Sequence, residues 1–298
     1  LSISTLAKVP NYVPTNGLVG WWPFNSNAKD QSENGNNGIV SEAKLTYDRF
    51  EKKNSAFSFD GFNDKIEIPT NSQLNFTNFS ISAWVYQFES SKWYCIIGKS
   101  NWDDGANETF ALAISGSDLQ IGIKTSSNCE IGFGWNTNRI SKPIGFNKNW
   151  QHVVSTFDGK ALKLFINGNL ESTKNINGQL DRCPGGQLKI GGWWRMDTQY
   201  FLGKIDDIGI WNRALTQQEI KQLYNSESNI LIANSETKPT YNTESKNKGS
   251  IEYADDSFYE GEYIQTSKGI KIRSGYGTFY NIDGDPVYAG NWLNDEYS

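Results

Sequence analysis

Two adjacent carboxylates, Asp206 and Asp207, interrupt an apolar run in the segment KIDDIGIW. The isoleucines around them predict a half-buried strand. Asp206 has the strand parity of Ile208, so we expect its carboxylate to point toward the apolar side and to need a partner there. A calcium ion is one such partner, because it prefers several carboxylate, amide and backbone oxygens. The alternative is that Asp206 accepts backbone amide bonds while Asp207 pairs with Arg213 or Lys204.

A loop rich in Asp, Asn and Gly, at positions 30–38, offers the same kinds of oxygen ligand through Asp30 and Asn36. A second acidic group stands in FDGFNDKI and consists of Asp60, Asn63 and Asp64. Asp-Gly followed by Asn is typical of turns, so we interpret this second group first as turn chemistry.

Six aromatic residues fall in or beside loops rich in Asn, Asp and Gly, where they could form a carbohydrate-binding surface. They are Trp93, Tyr94, Trp102, Trp135, Trp193 and Trp194. Indole faces stack on the C–H faces of sugar rings, and polar neighbours can bond the hydroxyls. The polar neighbours here are Asn101, Asp103, Asn136 and Arg195. The alternative is packing in the core or at its edge, which we expect of Trp21, Trp84, Trp150 and Trp211.

Catalytic groups are scarce in this sequence. Its single histidine, His152, stands in WQHVVSTF, where a strand and a structural role are the first expectation. We find no Gly-x-Ser-x-Gly elbow, no phosphate-binding glycine loop before a helix and no Cys/His spacing for zinc. The net charge of -5 disfavours nucleic acid and anionic membranes as partners. No run approaches the roughly 20 apolar residues that a membrane span requires.

Short strand candidates follow one another along the first two thirds of the chain and predict an all-β sandwich or jelly roll. Asp-Gly and Asn-Gly dipeptides, at 158–159 and 167–168, predict tight hairpin turns around the strand ALKLFI. After the strand that carries the two aspartates, Thr216 and Glu219 have the spacing of a capping box and predict a short helix that ends near Asn225. The predicted fold is therefore a two-sheet antiparallel jelly-roll sandwich with one short C-terminal helix.

Four blocks of the sequence resemble, in order, the concanavalin A-like, laminin G-like jelly roll of bacterial secreted and surface proteins. They are GLVGWWPFNSNAKDQSENGNNG (17–38), DRFEKKNSAFSFDGFNDKIEIP (48–69), WQHVVSTFDGKALKLFINGNL (150–170) and KIDDIGIWNRALTQQEIKQLYN (204–225). The resemblance implies a concave sheet face and, often, a calcium ion. It also implies that the first and last strands are neighbours, and an antiparallel pair would bring the 30–38 loop beside the two aspartates. The predicted calcium ligands are Asp30, Asn36, Asp206 and Asp207.

The predicted organisation is an N-terminal extension at 1–16, the jelly roll at 17–225, a polar linker at 226–250 and a tail at 251–298. In the tail, Tyr259-x-Gly261 recurs as Tyr288-x-Gly290, which indicates an internal β-hairpin repeat with a period of 29 residues. The tail resembles MORN repeats. Its aromatic residues could form a partner-binding groove, but we expect them to fill the interior of a small β-meander.

The resemblance implies binding rather than catalysis, because related laminarinase-type enzymes carry a Glu-x-Asp-x-Glu strand that this sequence lacks. We expect a non-catalytic, secreted or cell-surface module that binds glycan and holds a structural calcium ion. The first alternative is a protein-binding adhesion or structural domain of a larger surface protein. The second is a glycoside-acting enzyme.

The ends and the cysteines give two further expectations. The chain starts at Leu1 and has Met196 as its single methionine, which predicts that a signal peptide or upstream region has been removed. Cys129 and Cys183 lie in polar loops and could form a disulfide bond, whereas Cys95 lies in an apolar run and is expected to be a small core residue. Three free thiols are the alternative.

Overall fold

The structure is a computed structural model that describes residues 9–89, 92–100, 108–125, 138–145, 148–181, 186–193, 199–225, 247–252, 258–265, 271–281, 284–293 and 296–297. The chain divides into two compact units, Leu1–Ile230 and Leu231–Ser298. The predicted disulfide partners, Cys129 and Cys183, lie outside the described residues, so their pairing stays a prediction.

Strands make up most of the first unit. In chain order they are β1 (Leu18–Trp22), β2 (Ile39–Ser41), β3 (Lys44–Thr46), β4 (Ala56–Asp60), β5 (Lys65–Ile68), β6 (Phe79–Gln87), β7 (Trp93–Ser100), β8 (Glu108–Ser115), β9 (Asp118–Ile123), β10 (Arg139–Pro143), β11 (Gln151–Phe157), β12 (Ala161–Ile166), β13 (Asn169–Asn175), β14 (Leu188–Ile190) and β15 (Leu202–Trp211). A short 3-10 helix, Ser72–Leu74, precedes β6, and helix α1 (Gln217–Tyr224) follows β15.

These strands form two antiparallel sheets. Sheet A has the order β13-β12-β11-β6-β15-β4-β3, with β1 also paired to β15, and sheet B has the order β10-β9-β8-β7-β14-β5-β2. The predicted all-β, two-sheet jelly-roll sandwich is confirmed. The predicted neighbourhood of the first and last strands is confirmed as well, because β1 pairs antiparallel with β15 and Trp22 stands opposite Ile208.

The main core lies between the two sheets. Alternate residues of β6, among them Phe79, Ile81 and Ala83, face sheet B and are fully buried. The ring of Phe79 stacks on Phe110 of β8 with 5.6 Å between centroids, which joins the two layers. Complete burial of such a side chain stabilises the folded protein by roughly 1.5–3 kcal/mol. The alternation of apolar residues along each strand therefore determines which face of the sheet points into the core.

The outer face of sheet A is partly covered by α1 and by the segment before β1. Trp21 and Trp211 are buried there against Ile220 and Leu223 of the helix. The predicted capping box is confirmed, because the Thr216 hydroxyl accepts from the Glu219 amide and the Glu219 carboxylate accepts from the Thr216 amide. In the described part of the chain, no helix has the length and apolar character needed to cross a membrane.

The second unit is an antiparallel meander. Its strands, in chain order and in sheet order, are β16 (Asn247–Glu252), β17 (Phe258–Gln265), β18 (Lys271–Tyr280), β19 (Pro286–Leu293) and β20 (Glu296–Tyr297). Four glycines stand side by side across four of these strands: Gly249, Gly261, Gly277 and Gly290. Tyr259 is fully buried, and a Cβ on Gly261 or Gly277 would meet its ring. The Tyr-x-Gly element thus provides a flat row on which an aromatic ring packs. The likeness to MORN repeats stays a prediction.

Candidate functional site

The outer face of sheet B has a floor of small side chains. Gly98 of β7, Ala111 of β8 and Gly122 of β9 stand side by side across the three strands. The next row begins at Cys95 on β7 and ends at Gln120 on β9. Glycine and alanine leave room for a bulky side chain to lie close to the backbone, so this floor can hold an aromatic ring.

Trp193, which follows β14, packs on this floor. A Cβ on Gly98 would overlap the Trp193 ring, so the indole lies there because position 98 has no side chain. The ring of Trp93 is edge-on to Trp193, with 5.8 Å between centroids. Trp193 is 6% exposed, whereas Trp93 is half-buried. Trp93 therefore offers the accessible surface of the pair, and Trp193 mainly fills space.

Two buried amide oxygens near this pair have no hydrogen-bond partner: Oε1 of Gln120 and Oε1 of Gln199. Gln199 is placed beside the floor because its backbone carbonyl accepts from the Cys95 amide at 3.4 Å. A buried polar atom without a partner costs about 1–3 kcal/mol. Both oxygens are fully buried, so a ligand with O–H donors would reach either of them only after an overlying side chain had moved.

A charged pair borders the floor on its other side. Lys189 of β14 stands opposite Gly98, and its ammonium lies 3.4 Å from the Glu67 carboxylate of β5. Lys65 contacts the same carboxylate at 3.3 Å. The rim therefore combines an aromatic edge with polar groups, which is the lining that small-ligand sites require.

The structure places three of the ten predicted carbohydrate-binding residues. Trp93 and Trp193 contact each other, and their role in ligand binding stays a prediction. Tyr94 does not join them, because it is 1% exposed in the inter-sheet core, where its hydroxyl donates to Glu89 at 2.9 Å. A buried ring cannot stack on a sugar, so that assignment was wrong. The other seven lie outside the described residues: Asn101, Trp102, Asp103, Trp135, Asn136, Trp194 and Arg195.

The two aspartates of β15 share one cation, the guanidinium of Arg49. Its Nη1 lies 3.0 Å from Asp206 and its Nη2 lies 2.9 Å from Asp207, and all three side chains are nearly buried. The guanidinium also packs between the rings of Phe50 and Trp84, 4.5 Å and 4.4 Å from their centroids. The alternative partners are engaged elsewhere, since Arg213 pairs with Glu219 and Lys204 lies over Tyr86.

A bulge in β15 decides where Asp206 points. Asp206 stands opposite Trp84 of β6, and the register shifts before Gly209. Asp207 has a φ of 45°, the left-handed region that this shift requires. Asp206 therefore lies on the outer face of sheet A, opposite the core isoleucines, and the parity prediction was wrong. Burial, and then the charge of Asp207, raise the pKa of Asp206 well above its usual value, and burial raises the pKa of Asp207 against the attraction of Arg49.

The 30–38 loop uses its polar groups to organise itself. Oδ1 of Asp30 accepts from the amides of Trp21 and Ser32, and Oδ2 accepts from the amide of Asn36. The Asn36 side chain donates to the carbonyl of Val19 and accepts from Asn71. These bonds fix the loop beside β1, which is the role that Asx side chains have in turns.

The four predicted calcium ligands therefore do not fit a calcium ion. N–H donors engage oxygens of all four residues, and the positive charge beside the two aspartates belongs to Arg49. Within the described residues, no group of three or more His, Cys, Asp or Glu side chains is arranged to hold a metal. Calcium binding elsewhere on the protein stays a prediction.

His152 contacts a serine, but the pair is placed for structure. Its Nε2 lies 2.8 Å from Oγ of Ser82, and both side chains are about 1% exposed between Trp84 and Tyr224. Nδ1 has no hydrogen-bond partner, so no carboxylate orients the ring. Burial, and then the charge of Arg49, lower the pKa of His152 to about 3. A neutral, enclosed imidazole without a carboxylate partner lacks the arrangement of a Ser-His-Asp triad.

Sequence reasoning missed two groups of residues. Nothing in the sequence marked Arg49 as the partner of Asp206 and Asp207. A buried aspartate pair requires a cation, but the cations considered were calcium, Arg213 and Lys204. The second group is aromatic: Tyr86 is two residues from Trp84 on β6 and shares its sheet face, and Phe88, just after the strand, packs against Tyr86. Trp150, which was expected in the core or at its edge, is half-buried and packs edge-on to Tyr86 at 5.9 Å.

Residues 59–221 match the Laminin G 3 family, described as the concanavalin A-like lectin/glucanases superfamily. The chain belongs to this family. Because the match covers more than half of the chain, it establishes the family that the four sequence blocks suggested. The jelly roll therefore places the protein among folds used both by lectins and by glucanases. No curated protein matches the sequence.

Solved structures with the same fold come from carbohydrate-related and toxin binding domains. Domain 4 of AbnA, a GH43 extracellular arabinanase from Geobacillus stearothermophilus, in complex with arabinotriose, has a TM-score of 0.51 and 18% identity over 70% of this chain and 98% of that chain. The ligand binding domain of botulinum neurotoxin serotype D, in complex with N-acetylneuraminic acid, has a TM-score of 0.51 and 20% identity over 72% of this chain and 52% of that chain.

A third solved structure aligns with more of the chain. It is the binding domain of Paraclostridial Mosquitocidal Protein 1, with a TM-score of 0.57 and 19% identity over 95% of this chain and 69% of that chain. At these identities the likeness shows the fold alone.

Proposed function

We propose that this chain is a non-catalytic glycan-binding module that acts outside the cell. It binds glycan on the outer face of sheet B, where Trp93 is the stacking ring. The observation that carries the proposal is the accessible, half-buried Trp93 ring, held edge-on to Trp193 on the small-residue floor that Lys189 and Glu67 border. An extracellular setting agrees with the similar domain of an extracellular arabinanase.

Sugars supply both kinds of contact that this face offers. Their C–H faces stack on indoles, and their hydroxyls donate hydrogen bonds to amide oxygens.

The described groups on this face support binding without catalysis. Glycoside hydrolysis uses two carboxylates that flank the bond to be cleaved. Two described carboxylates belong to the rows of this face, and both are engaged: Glu67 in the Gly98 row is bound by Lys65 and Lys189, and Asp118 in the Trp93 row accepts a hydrogen bond from Ser141. Ser82 and His152 lie on the other sheet and are enclosed.

The first test compares Trp93→Ala with Tyr47→Ala, an exposed aromatic residue at a distance in sequence from the site. Arabinan, galactan and sialylated oligosaccharides are titrated by calorimetry, and reducing ends are assayed in parallel. We expect one of these glycans to bind, and loss of the Trp93 ring to weaken it roughly tenfold. Equal affinity in both variants, no binding across the panel, or release of reducing ends would contradict the proposal. The alternative, a domain that binds a protein partner, would then be tested next.

The second test uses a residue for which binding and folding predict opposite effects. Gln120→Leu removes a buried amide whose oxygen has no partner, so we expect the free energy of unfolding to stay the same or to rise. Glycan affinity should fall, because the acceptor is lost. A variant that is less stable but binds normally would show that Gln120 only supports the fold.

A further inference from the structure

The outer face of sheet A carries a second aromatic surface, beyond the part that α1 covers. Tyr86 of β6 and Phe88, which follows the end of that strand, pack edge-on at 5.8 Å between centroids, and Trp150 packs edge-on to Tyr86 at 5.9 Å. Phe88 is 38% exposed, while Tyr86 and Trp150 are half-buried. We call these three residues the β6 platform. Its rings are held by one another and by the sheet, so their faces are preorganised for a ligand.

A row of polar and cationic side chains extends from the platform across the sheet. Lys204 of β15 stands opposite Tyr86, Ser58 of β4 stands opposite Lys204, and Lys44 of β3 stands opposite Ser58. The Lys204 ammonium lies 5.4 Å from the centroid of the Tyr86 ring. Among the described residues, no carboxylate lies within ion-pair distance of Lys204 or Lys44, and the charge of Lys44 acts on the Asp64 carboxylate only at longer range. Two strand spacings, about 10 Å, separate the two lysines.

We propose that the β6 platform and its lysine row bind an acidic polysaccharide, with sugar faces on the rings and sugar carboxylates at Lys204 and Lys44. This surface is distinct from the Trp93 face of sheet B and does not depend on it. Cations without carboxylate partners beside exposed rings favour a ligand that carries both negative charge and C–H faces.

The chemistry of the row favours a chain of acidic sugars over other occupants. A protein interface of standard size buries about 800 Å² per partner around an apolar centre, whereas here a lysine lies over the central ring. The described carboxylates around the platform are engaged elsewhere: Glu89 accepts a hydrogen bond from Tyr94, Asp206 pairs with Arg49, and Asp60 accepts from the amides of Phe62 and Asn63. The net charge of -5 works against anionic ligands at long range, so local contacts must provide the attraction.

The test compares polygalacturonate with fully methyl-esterified polygalacturonate, which has the same backbone without the carboxylates. Affinity electrophoresis of the full chain measures both, and thermal unfolding confirms that each variant is folded. We expect the acidic polymer alone to retard the protein, and added salt to reduce the retardation. Lys204→Gln should weaken binding up to roughly fivefold, the upper range for an exposed ion pair. Phe88→Ala should weaken it up to roughly tenfold, while Lys29→Gln, a change of an exposed lysine elsewhere, should have no effect.

Four outcomes would overturn the proposal. Equal retention of the acidic and esterified polymers would remove the charge preference. Unchanged retention of both Lys204→Gln and Phe88→Ala would remove the site. Loss of acidic-polymer binding in Trp93→Ala alone would place the ligand on sheet B. A dimer in sedimentation that Phe88→Ala converts to monomer would make this face a contact between copies of the chain.

Discussion

At the scale of single residues, Arg49 balances the charge of Asp206 and Asp207 inside the protein. Arg49→Met keeps most of the side-chain volume but leaves two buried carboxylates without their cation. We expect the free energy of unfolding to fall by about 3–5 kcal/mol, measured with a chemical denaturant. Adding Asp206→Asn and Asp207→Asn to that variant should recover part of the loss, because the uncompensated charges are then gone.

The control for this prediction is Arg139→Met, an exposed arginine at the start of β10, which should change the free energy of unfolding by at most about 0.5 kcal/mol.

A metal chelator tests whether calcium contributes to the same cluster. We expect it to leave the melting temperature unchanged. If the chelator lowers the melting temperature and Asp207→Asn abolishes that effect, then calcium and not Arg49 neutralises the pair.

A second prediction at the residue scale is that His152 makes the free energy of unfolding depend on pH. Its pKa is about 3 in the folded protein, below the ordinary value of 6.5, because burial disfavours the charged ring. Between these two pKa values, His152 binds a proton in the unfolded chain but not in the folded protein. The contribution of the neutral imidazole to the free energy of unfolding is therefore complete above pH 6.5 and is lost as the pH falls toward 3. At pH 5 the loss is about 2 kcal/mol.

The measurement is the free energy of unfolding of wild type and His152→Gln between pH 7 and 5. The variant should show the shallower decline, since its amide does not titrate. Asp206 and Asp207 act in the opposite direction because their pKa values are raised. They are the same in both proteins, so the difference isolates the imidazole. Parallel curves would assign the pH dependence to other groups.

At the scale of elements, local signals were readable from the sequence and non-local ones were not. The capping box of α1 was predictable because Thr216 and Glu219 satisfy each other within one turn. The direction of Asp206 was not, because one bulge in β15 reverses the parity of every residue beyond it. Arg49 comes from a loop 157 positions away in sequence, and no spacing rule links residues so distant.

The candidate site on sheet B shows the same division. Loop composition pointed to Trp93 and Trp193, and the structure brings them together. Tyr94 is adjacent to Trp93 in sequence, but successive residues of a strand face opposite sides, so β7 sends Tyr94 into the core. The β6 platform was overlooked because binding aromatics were sought in loops rich in Asn, Asp and Gly, whereas Tyr86 lies on a strand.

At the scale of the whole molecule, a substitution in the glycine row can show whether the two units unfold separately. Gly277→Ala places a methyl group where the buried ring of Tyr259 lies, so that ring must move and the meander loses packing. We expect a second-unit transition to shift to lower temperature by several degrees, as a loss of about 1–3 kcal/mol in a small unit would produce. The first unit should unfold as in wild type, because the changed contacts all lie within the meander.

Tryptophan fluorescence and backbone circular dichroism together measure this. Trp292 is the only tryptophan after Ile230, so fluorescence reports mainly the first unit, while circular dichroism at strand wavelengths reports both. Gly249→Ala is the matched control, because its added methyl would lie 3.3 Å from Tyr263 and needs only a small adjustment. Separate shifts of the two signals in Gly277→Ala would establish that the units unfold independently. A joint shift would mean that they unfold as one cooperative body, and stability could then not be assigned to either unit alone.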